Sequence, residues 1–437
     1  MKTTRGDVPV GTDNNKQSGA QRLLPTTRSQ VSGHRFMRRR VEHGLIYGDI
    51  RMIHDPLASR RRSAILGVIA VALIAAGCGL FAWLRPNPDP GTAAILRATD
   101  GALYVRVGET VHPVTNLTSA RLIAGAPEEP QRIGDERLAA MPRGVPVGLP
   151  TAPAMFAPAD SEDEVWSACV GTGRNVRGIT VTAGTPVKEL NAGQGIVALY
   201  GGEEWLLTTA GRAKLPAASD PASRVLRRTL GIDASTPRWD VGEADGVLNA
   251  MRELPPIRLP DPLPEVLETE TEAWILTPHG GIQQVTPTQR EVLGEAGAKV
   301  SKTTASAIAA YPDANPPMPL DIPEEAPQWL ELGGAEVCAT ETGRVATAAP
   351  HDAGGAVELS GDAPAAWFRG LAAGAVAVDT GAGYQVISAQ GQRHEVSNQE
   401  LLSVIGAAHT ENVPWAIIRL LPAGPELNRE AALTATY

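Results

Sequence analysis

Charged residues punctuate this chain at short intervals except from Ala64 to Leu84, where twenty-one consecutive residues (AILGVIAVALIAAGCGLFAWL) carry none. At 1.5 Å rise per residue, a helix of that length spans about 30 Å, the thickness of a bilayer core, so residues 63–84 are predicted to cross a membrane. Arg60, Arg61 and Arg62 precede the run, whereas only Arg85 follows it, ahead of Pro86, Pro88 and Pro90 in a linker over 85–95. The positive-inside rule then puts the N-terminus in the cytoplasm and the C-terminal body outside, with Trp83 as an interfacial aromatic. A cleaved signal peptide has a shorter basic region and a shorter apolar core. Ala75-Ala76-Gly77-Cys78 hints at a lipoprotein signal, but the apolar run continues past Cys78. The expectation is a signal-anchor helix ending at Ala64 and Leu84, in a single-pass protein of the cell membrane.

Ahead of the span, residues 1–25 are polar and lack periodicity, which reads as a disordered extension. Residues 26–62 form a basic arm. Within it Val41, Leu45 and Ile46 are expected on one helical face, and Arg35, Arg38, Arg39 and Arg40 in a basic strip. Asp55-Pro56 has the form of an N-cap followed by proline at the first helical position. Two uses of the arginines, including Arg60–Arg62, stand side by side: attraction to anionic lipid of the inner leaflet, and docking to a cytoplasmic partner.

Beyond residue 95 the pattern becomes periodic on a longer scale, and four stretches share one layout. Each has an aromatic-led apolar strand, a turn at glycine, a second strand ending in Val or Leu, and a short helix. The copies run from Tyr104 through Gly108 and Thr115 to Gly125, and from Trp205 through Gly211 and Asp220-Pro221 to Gly231. The third runs from Trp274 through Gly280 and Thr286-Pro287 to Gly294, and the last from Tyr384 through Gly391 and Ser397 to Gly406. Thr115, Asp220, Thr286 and Ser397 are the expected N-caps, Ser397–Glu400 an expected capping box, and the closing glycines left-handed C-caps. These place repeat one at 96–135, repeat two at 199–262, repeat three at 263–326 and repeat four at 373–424, with a tail over 425–437. A lone β-β-α unit buries too little surface to stand alone, so the copies must pack on one another or on a shared centre.

That centre is expected from two pieces, 136–198 and 327–372. Each holds one cysteine, Cys169 in VWSACV and Cys338 in AEVCAT. Outside the membrane such a pair defaults to a disulfide; two buried free thiols are the alternative.

Composition sharpens the division. The net charge of −9 argues against a nucleic-acid binder, yet it averages unlike parts. Residues 1–62 hold thirteen basic and five acidic residues, net +8, and those after Leu84 hold 26 basic and 43 acidic, net −17. Catalytic motifs are not found. Gly294-Glu295-Ala296-Gly297-Ala298-Lys299 lacks the spacing of a phosphate-binding loop, and Gly171-Thr172-Gly173 lacks the third glycine of a dinucleotide fingerprint. His394-Glu395 has no second His at zincin spacing, and Glu162, Asp163 and Glu164 read as a solvated charge run. No catalytic residue, cofactor or metal site is expected.

Ordered blocks across the chain resemble the EccB family, the single-pass core membrane subunit of type VII (ESX) secretion systems. They are Thr26-Thr27-Arg28-Ser29-Gln30-Val31-Ser32-Gly33-His34-Arg35-Phe36, Arg51-Met52-Ile53-His54-Asp55-Pro56, Gly101-Ala102-Leu103-Tyr104-Val105-Arg106, Asn116-Leu117-Thr118-Ser119-Ala120-Arg121-Leu122-Ile123 and Leu420-Leu421-Pro422-Ala423-Gly424-Pro425. His34 replaces an aromatic usual there. The resemblance implies an α+β protein: one N-terminal transmembrane helix plus an elongated extracytoplasmic body of four β-β-α repeats around a disulfide-bridged central domain. It implies a scaffolding role beside an FtsK/SpoIIIE-like cytoplasmic ATPase and a multi-span membrane subunit, self-association within the complex, and contact with the lipid bilayer. The family is sometimes labelled an ATPase. A membrane-anchored protein whose repeats bind cell wall is the alternative reading.

Overall fold

The computed structural model describes residues 27–48, 56–83, 88–172, 178–350 and 354–436. The chain divides into two compact units, Met1–Pro86 and Asn87–Tyr437. Among its described residues the first holds two helices. Helix α1 (Arg28–Tyr47) starts at a reciprocal capping box: Thr27 Oγ1 accepts from the Gln30 amide, and Gln30 Oε1 accepts from the Thr27 amide. It ends at Gly48, whose φ of 70° needs no Cβ penalty. Helix α2 runs Pro56–Trp83, with proline at its first position as expected; Asp55 and Leu84 lie outside the described residues.

The second unit is built from four small modules and one larger sheet. The first module contains β1 (Ile95–Arg97), β2 (Leu103–Val107), β3 (Thr110–Val114), α3 (Leu117–Ala124), β4 (Gln131–Arg132) and α4 (Asp135–Ala140). Three central strands follow: β5 (Trp166–Gly171), β6 (Ile179–Ala183) and β7 (Lys188–Glu189). The second module has β8 (Gln194–Tyr200), β9 (Glu203–Thr208), β10 (Gly211–Lys214), α5 (Pro221–Thr229), β11 (Arg238–Asp240) and α6 (Asp245–Ala250). The third has β12 (Glu265–Glu268), β13 (Ala273–Leu276), β14 (Ile282–Val285), α7 (Pro287–Glu295), β15 (Val300–Lys302) and α8 (Ala305–Ile308). Then come β16 (Gln328–Trp329) and the central strands β17 (Glu336–Thr340), β18 (Val345–Ala348), β19 (Val357–Glu358) and β20 (Ala365–Arg369). The fourth module has β21 (Val376–Asp379), β22 (Tyr384–Ile387), β23 (Arg393–Val396), α9 (Gln399–Ile405), β24 (Thr410–Asn412) and α10 (Trp415–Ile418); α11 (Arg429–Ala432) follows.

All four modules share one strand order, β3-β2-β1-β4 in the first and its counterpart in the others. Three antiparallel strands form a meander, a helix crosses over, and a short strand returns parallel to the first. The expected aromatic-led strand is therefore the middle strand of each meander, and the strand before it and the parallel strand after it are additions to the expected pattern. The free edge of each hairpin is covered in the same way, by parallel bridges Val111–Arg143, Arg212–Glu253, Ile282–Asp313 and Arg393–Ala423.

Several expected boundaries and caps shift. Residue 199 falls inside β8, and α4 belongs with the first module, so the first central piece narrows to strands within 166–189. Asn116, not Thr115, caps α3, its Oδ1 accepting from the Ser119 amide at 2.8 Å. Asn398, not Ser397, caps α9, which removes the expected capping box by moving Glu400 to the second helical position. Thr286 is the N-cap of α7, with Gln289 completing a box. Gly125, Gly231 and Gly406 have positive φ, but Gly294 lies within α7 and the left-handed residue is Gly297.

Each module uses both faces of its sheet. On one face the longer helix and a neighbouring module close a core: modules one and four share one such core, through α3 and α9, and modules two and three share another, through α5 and α7. The other face meets the short helix. In modules one and three it closes only small satellite clusters. In modules two and four it merges with the seven-stranded central sheet, whose order is β19-β20-β6-β5-β17-β18-β7, beneath Val247 and Leu248 of α6 and Ile417 and Ile418 of α10. Burial thus runs in the succession three, two, centre, four, one.

Candidate functional site

The residues singled out by sequence fall in three places: α1, α2 and the central sheet. On α1, Arg35, Arg38, Arg39 and Arg40 are all exposed. At 100° per residue, Arg35, Arg38 and Arg39 share one side, while Arg40 turns about 100° further round. Val41 and Leu45 adjoin, but Ile46 falls in line with Arg35 and Arg39, so apolar and basic residues interleave rather than forming two separate faces. Arg38 Nε donates to Glu42 Oε1 at 3.0 Å, one turn on. On α2, Arg60, Arg61 and Arg62 are exposed and Ala64 opens the uncharged run. Among the described residues, Arg60–Trp83 is one helix long and apolar enough to cross a membrane, and none of it is buried in protein. That is what a lipid-facing surface requires, since the side chains have no protein core to enter.

In the central sheet, β5 and β17 pair antiparallel with Cys169 directly opposite Cys338, Cα atoms 4.0 Å apart, and the two form a disulfide across 169 residues of sequence. Strand alternation explains its surroundings. Ala168, Val170, Val337 and Ala339 point to the helix-covered core, whereas the two cysteines face the other way, under Ala346, Val187 and Ala348, and are fully buried. Cys78 is a free thiol on α2.

Polar side chains that sequence reasoning missed fasten the modules. Glu204 on β9 takes Arg238 Nε at 2.8 Å on one oxygen and Arg227 on the other, tying α5 and β11 to the meander. Burial pushes this carboxyl's pKa up, but Arg238 and Arg227 outweigh it and hold the group below the usual carboxylate range. Arg121 on α3 donates to the Ile405 carbonyl at the end of α9, across modules one and four, at 3.0 Å. His394 is buried, with its ring nitrogens 2.9 Å from the Pro425 carbonyl and 3.1 Å from that of Thr151; burial lowers its pKa against the pull of both carbonyls. Their common signal is absent from sequence, because every partner lies far along the chain. The Glu162–Glu164 run is not wholly solvated: Asp163 Oδ1 pairs with His409 Nε2 at 2.6 Å.

Among the described residues no group of three or more His, Cys, Asp or Glu could hold a metal ion. Gly294–Lys299 lies in and after α7 rather than between a strand and a helix.

A family model described as "Type VII secretion system ESX-1, transport TM domain B" matches residues 23–436. The ESX-1 secretion system ATPase EccB1 of Mycobacterium tuberculosis H37Rv is 30% identical over 469 aligned positions, covering 94% of this chain and 95% of that protein. Among solved structures, a chain of an intact ESX-5 inner membrane complex (composite C3 model) aligns with a TM-score of 0.64 at 25% identity, covering 95% of this chain and 96% of that one. A chain of the EccB3 dimer from the ESX-3 core complex shares the fold, with a TM-score of 0.63 at 22% identity over 78% of this chain and all of that one.

Proposed function

The chain belongs to the EccB family, core inner-membrane components of ESX type VII secretion complexes, and from that premise we propose that it acts as a scaffold linking cytoplasmic motor components to an assembly outside the membrane. The observation that carries this is one uncharged span joining a basic arm to a body held together by long-range contacts, matched end to end by a subunit of an intact secretion complex. In this reading α2 is a signal anchor, its Ala64 end cytoplasmic beside Arg60–Arg62 and its Trp83 end outside. Arg35, Arg38, Arg39 and Arg40 meet an acidic cytoplasmic partner or anionic lipid. The partners are an FtsK/SpoIIIE-like ATPase, a multi-span membrane subunit, and further copies of this chain. The four modules are copies of one repeat, supported by their shared strand order and the same covering bridge at each hairpin edge.

Relatives carry the name ATPase. The role proposed for this chain is mechanical rather than hydrolytic, supported by the unsuitable spacing and setting of Gly294–Lys299. Gentle detergent extraction of the tagged full chain should bring down an ATPase and a multi-span subunit. Recovery of this chain alone would overturn the scaffold reading. ATP hydrolysis by the purified chain, abolished by one pocket substitution, would overturn the mechanical one.

A further inference from the structure

Module four meets the central sheet at one junction made of ionisable groups. Glu411 sits in the middle of β24 and is only 2% exposed. Its Oε2 accepts the Trp166 indole N–H at 2.8 Å, and its carboxylate also accepts the Glu164 amide. Trp166 is fully buried at the start of β5, its ring centroid 6.4 Å from that of Phe368 on β20. The segment leading into β5 brings two further carboxylates, Asp163 and Glu164, whose charges bear on Glu411. Asp163 is held by His409, two residues before Glu411 on the module-four side. Glu341, after β17, accepts the Trp166 amide at 2.9 Å from the central-sheet side. Carboxylates are thus gathered on both sides of an interface, and among the described residues the one against the interior has no cation paired with it.

We propose that this junction is an acid-strengthened latch, in which Glu411, bonded to Trp166 and crowded by Asp163 and Glu164, clamps module four to the central sheet when protonated and loosens it on ionising. The physical contest is clear. Two N–H donors favour the ionised form, but burial penalises it more, and the neighbouring carboxylates add to the penalty, so the carboxyl titrates above its ordinary range. The sign follows from linkage. A folded pKa raised above the unfolded one gives stability that is present in full below the unfolded value and is lost as pH rises through the folded value. Because modules four and one share a core, loosening this junction frees the pair together. Only the meaning of this response for secretion rests on the orientation proposed above; the response itself does not.

The test is hydrogen exchange of the full-length chain in detergent, corrected for intrinsic rates, from about pH 5 to about pH 8. Protection of 163–170 and 409–413 should fall with rising pH, by about tenfold for each unit by which the folded pKa exceeds the open one. The strands of module three, which belong to a separate core, should not follow it. Glu411→Gln keeps an acceptor for Trp166 and should flatten the profile; Asp163→Asn, at an exposed position, should reduce its slope while leaving the fold intact. Protection independent of pH in the parent chain would overturn the latch. So would an unchanged profile in Glu411→Gln, or an unchanged slope in Asp163→Asn should the first variant fail to fold.

Discussion

Asn116 shows how a single side chain is settled by its surroundings. Thr115 and Asn116 are both competent N-caps, and the choice falls to Asn116 because its Nδ2 also donates to the Leu149 carbonyl at 2.7 Å in the interior. Asn116→Ala should cost more than the usual cap loss of about 1 kcal/mol, since a second buried hydrogen bond goes with the cap and leaves the Leu149 carbonyl with the Ala152 amide alone; thermal unfolding of the body measures it. Glu204 is legible as one acidic residue among many, and only the fold places two guanidiniums on it. Glu204→Gln should destabilise by about 3–5 kcal/mol, as expected when one member of a largely buried ion pair is removed. Its lowered folded pKa gives stability that is present above the unfolded value and lost as pH falls through the folded one, opposite in sign to Glu411. Acid unfolding of the parent and variant separates the two.

At the scale of elements, the apolar span and the hairpins carry local signals: an uncharged run, alternating apolar residues, turn glycines with positive φ such as Gly108 and Gly391. The strands that were missed lack such signals. Strand β8 (Gln194–Tyr200) is buried on both faces and reads as a continuous apolar run rather than an alternation. Strand β4 has two exposed residues and no pattern at all. The short helix α6 is marginal alone and owes its place to Val247 and Leu248, which sink into the central core. Leu248→Ala should therefore cost about 2–5 kcal/mol, read as a shift in the denaturant midpoint. It should loosen module two against the central sheet before it loosens module three.

For the whole molecule, what matters is which modules share a core. Module one is paired with module four across nearly the entire body, the Arg121–Ile405 bond spanning 284 residues of sequence. Deleting residues 373–437 should expose module one to protease while modules two and three stay resistant, because each pair has its own core. The disulfide closes the loop that contains modules two and three. A chain-entropy estimate for 169 residues gives an upper limit of about 5 kcal/mol, so the Cys169→Ala, Cys338→Ala double variant should melt well below the parent under non-reducing conditions.

By itself the sequence determined the apolar helix long enough to cross a membrane, the charge division on either side of it, the resemblance to the family, the hairpins with their following helices and the two cysteines that pair. All of these depend on neighbours within a few turns of chain, or on motifs that keep their order. Tertiary structure alone decided that module one closes on module four, that α6 and α10 roof the central sheet, and that Glu411 lies against Trp166. Those contacts join residues far apart along the chain, and nothing local distinguishes a carboxylate destined for water from one that the fold buries.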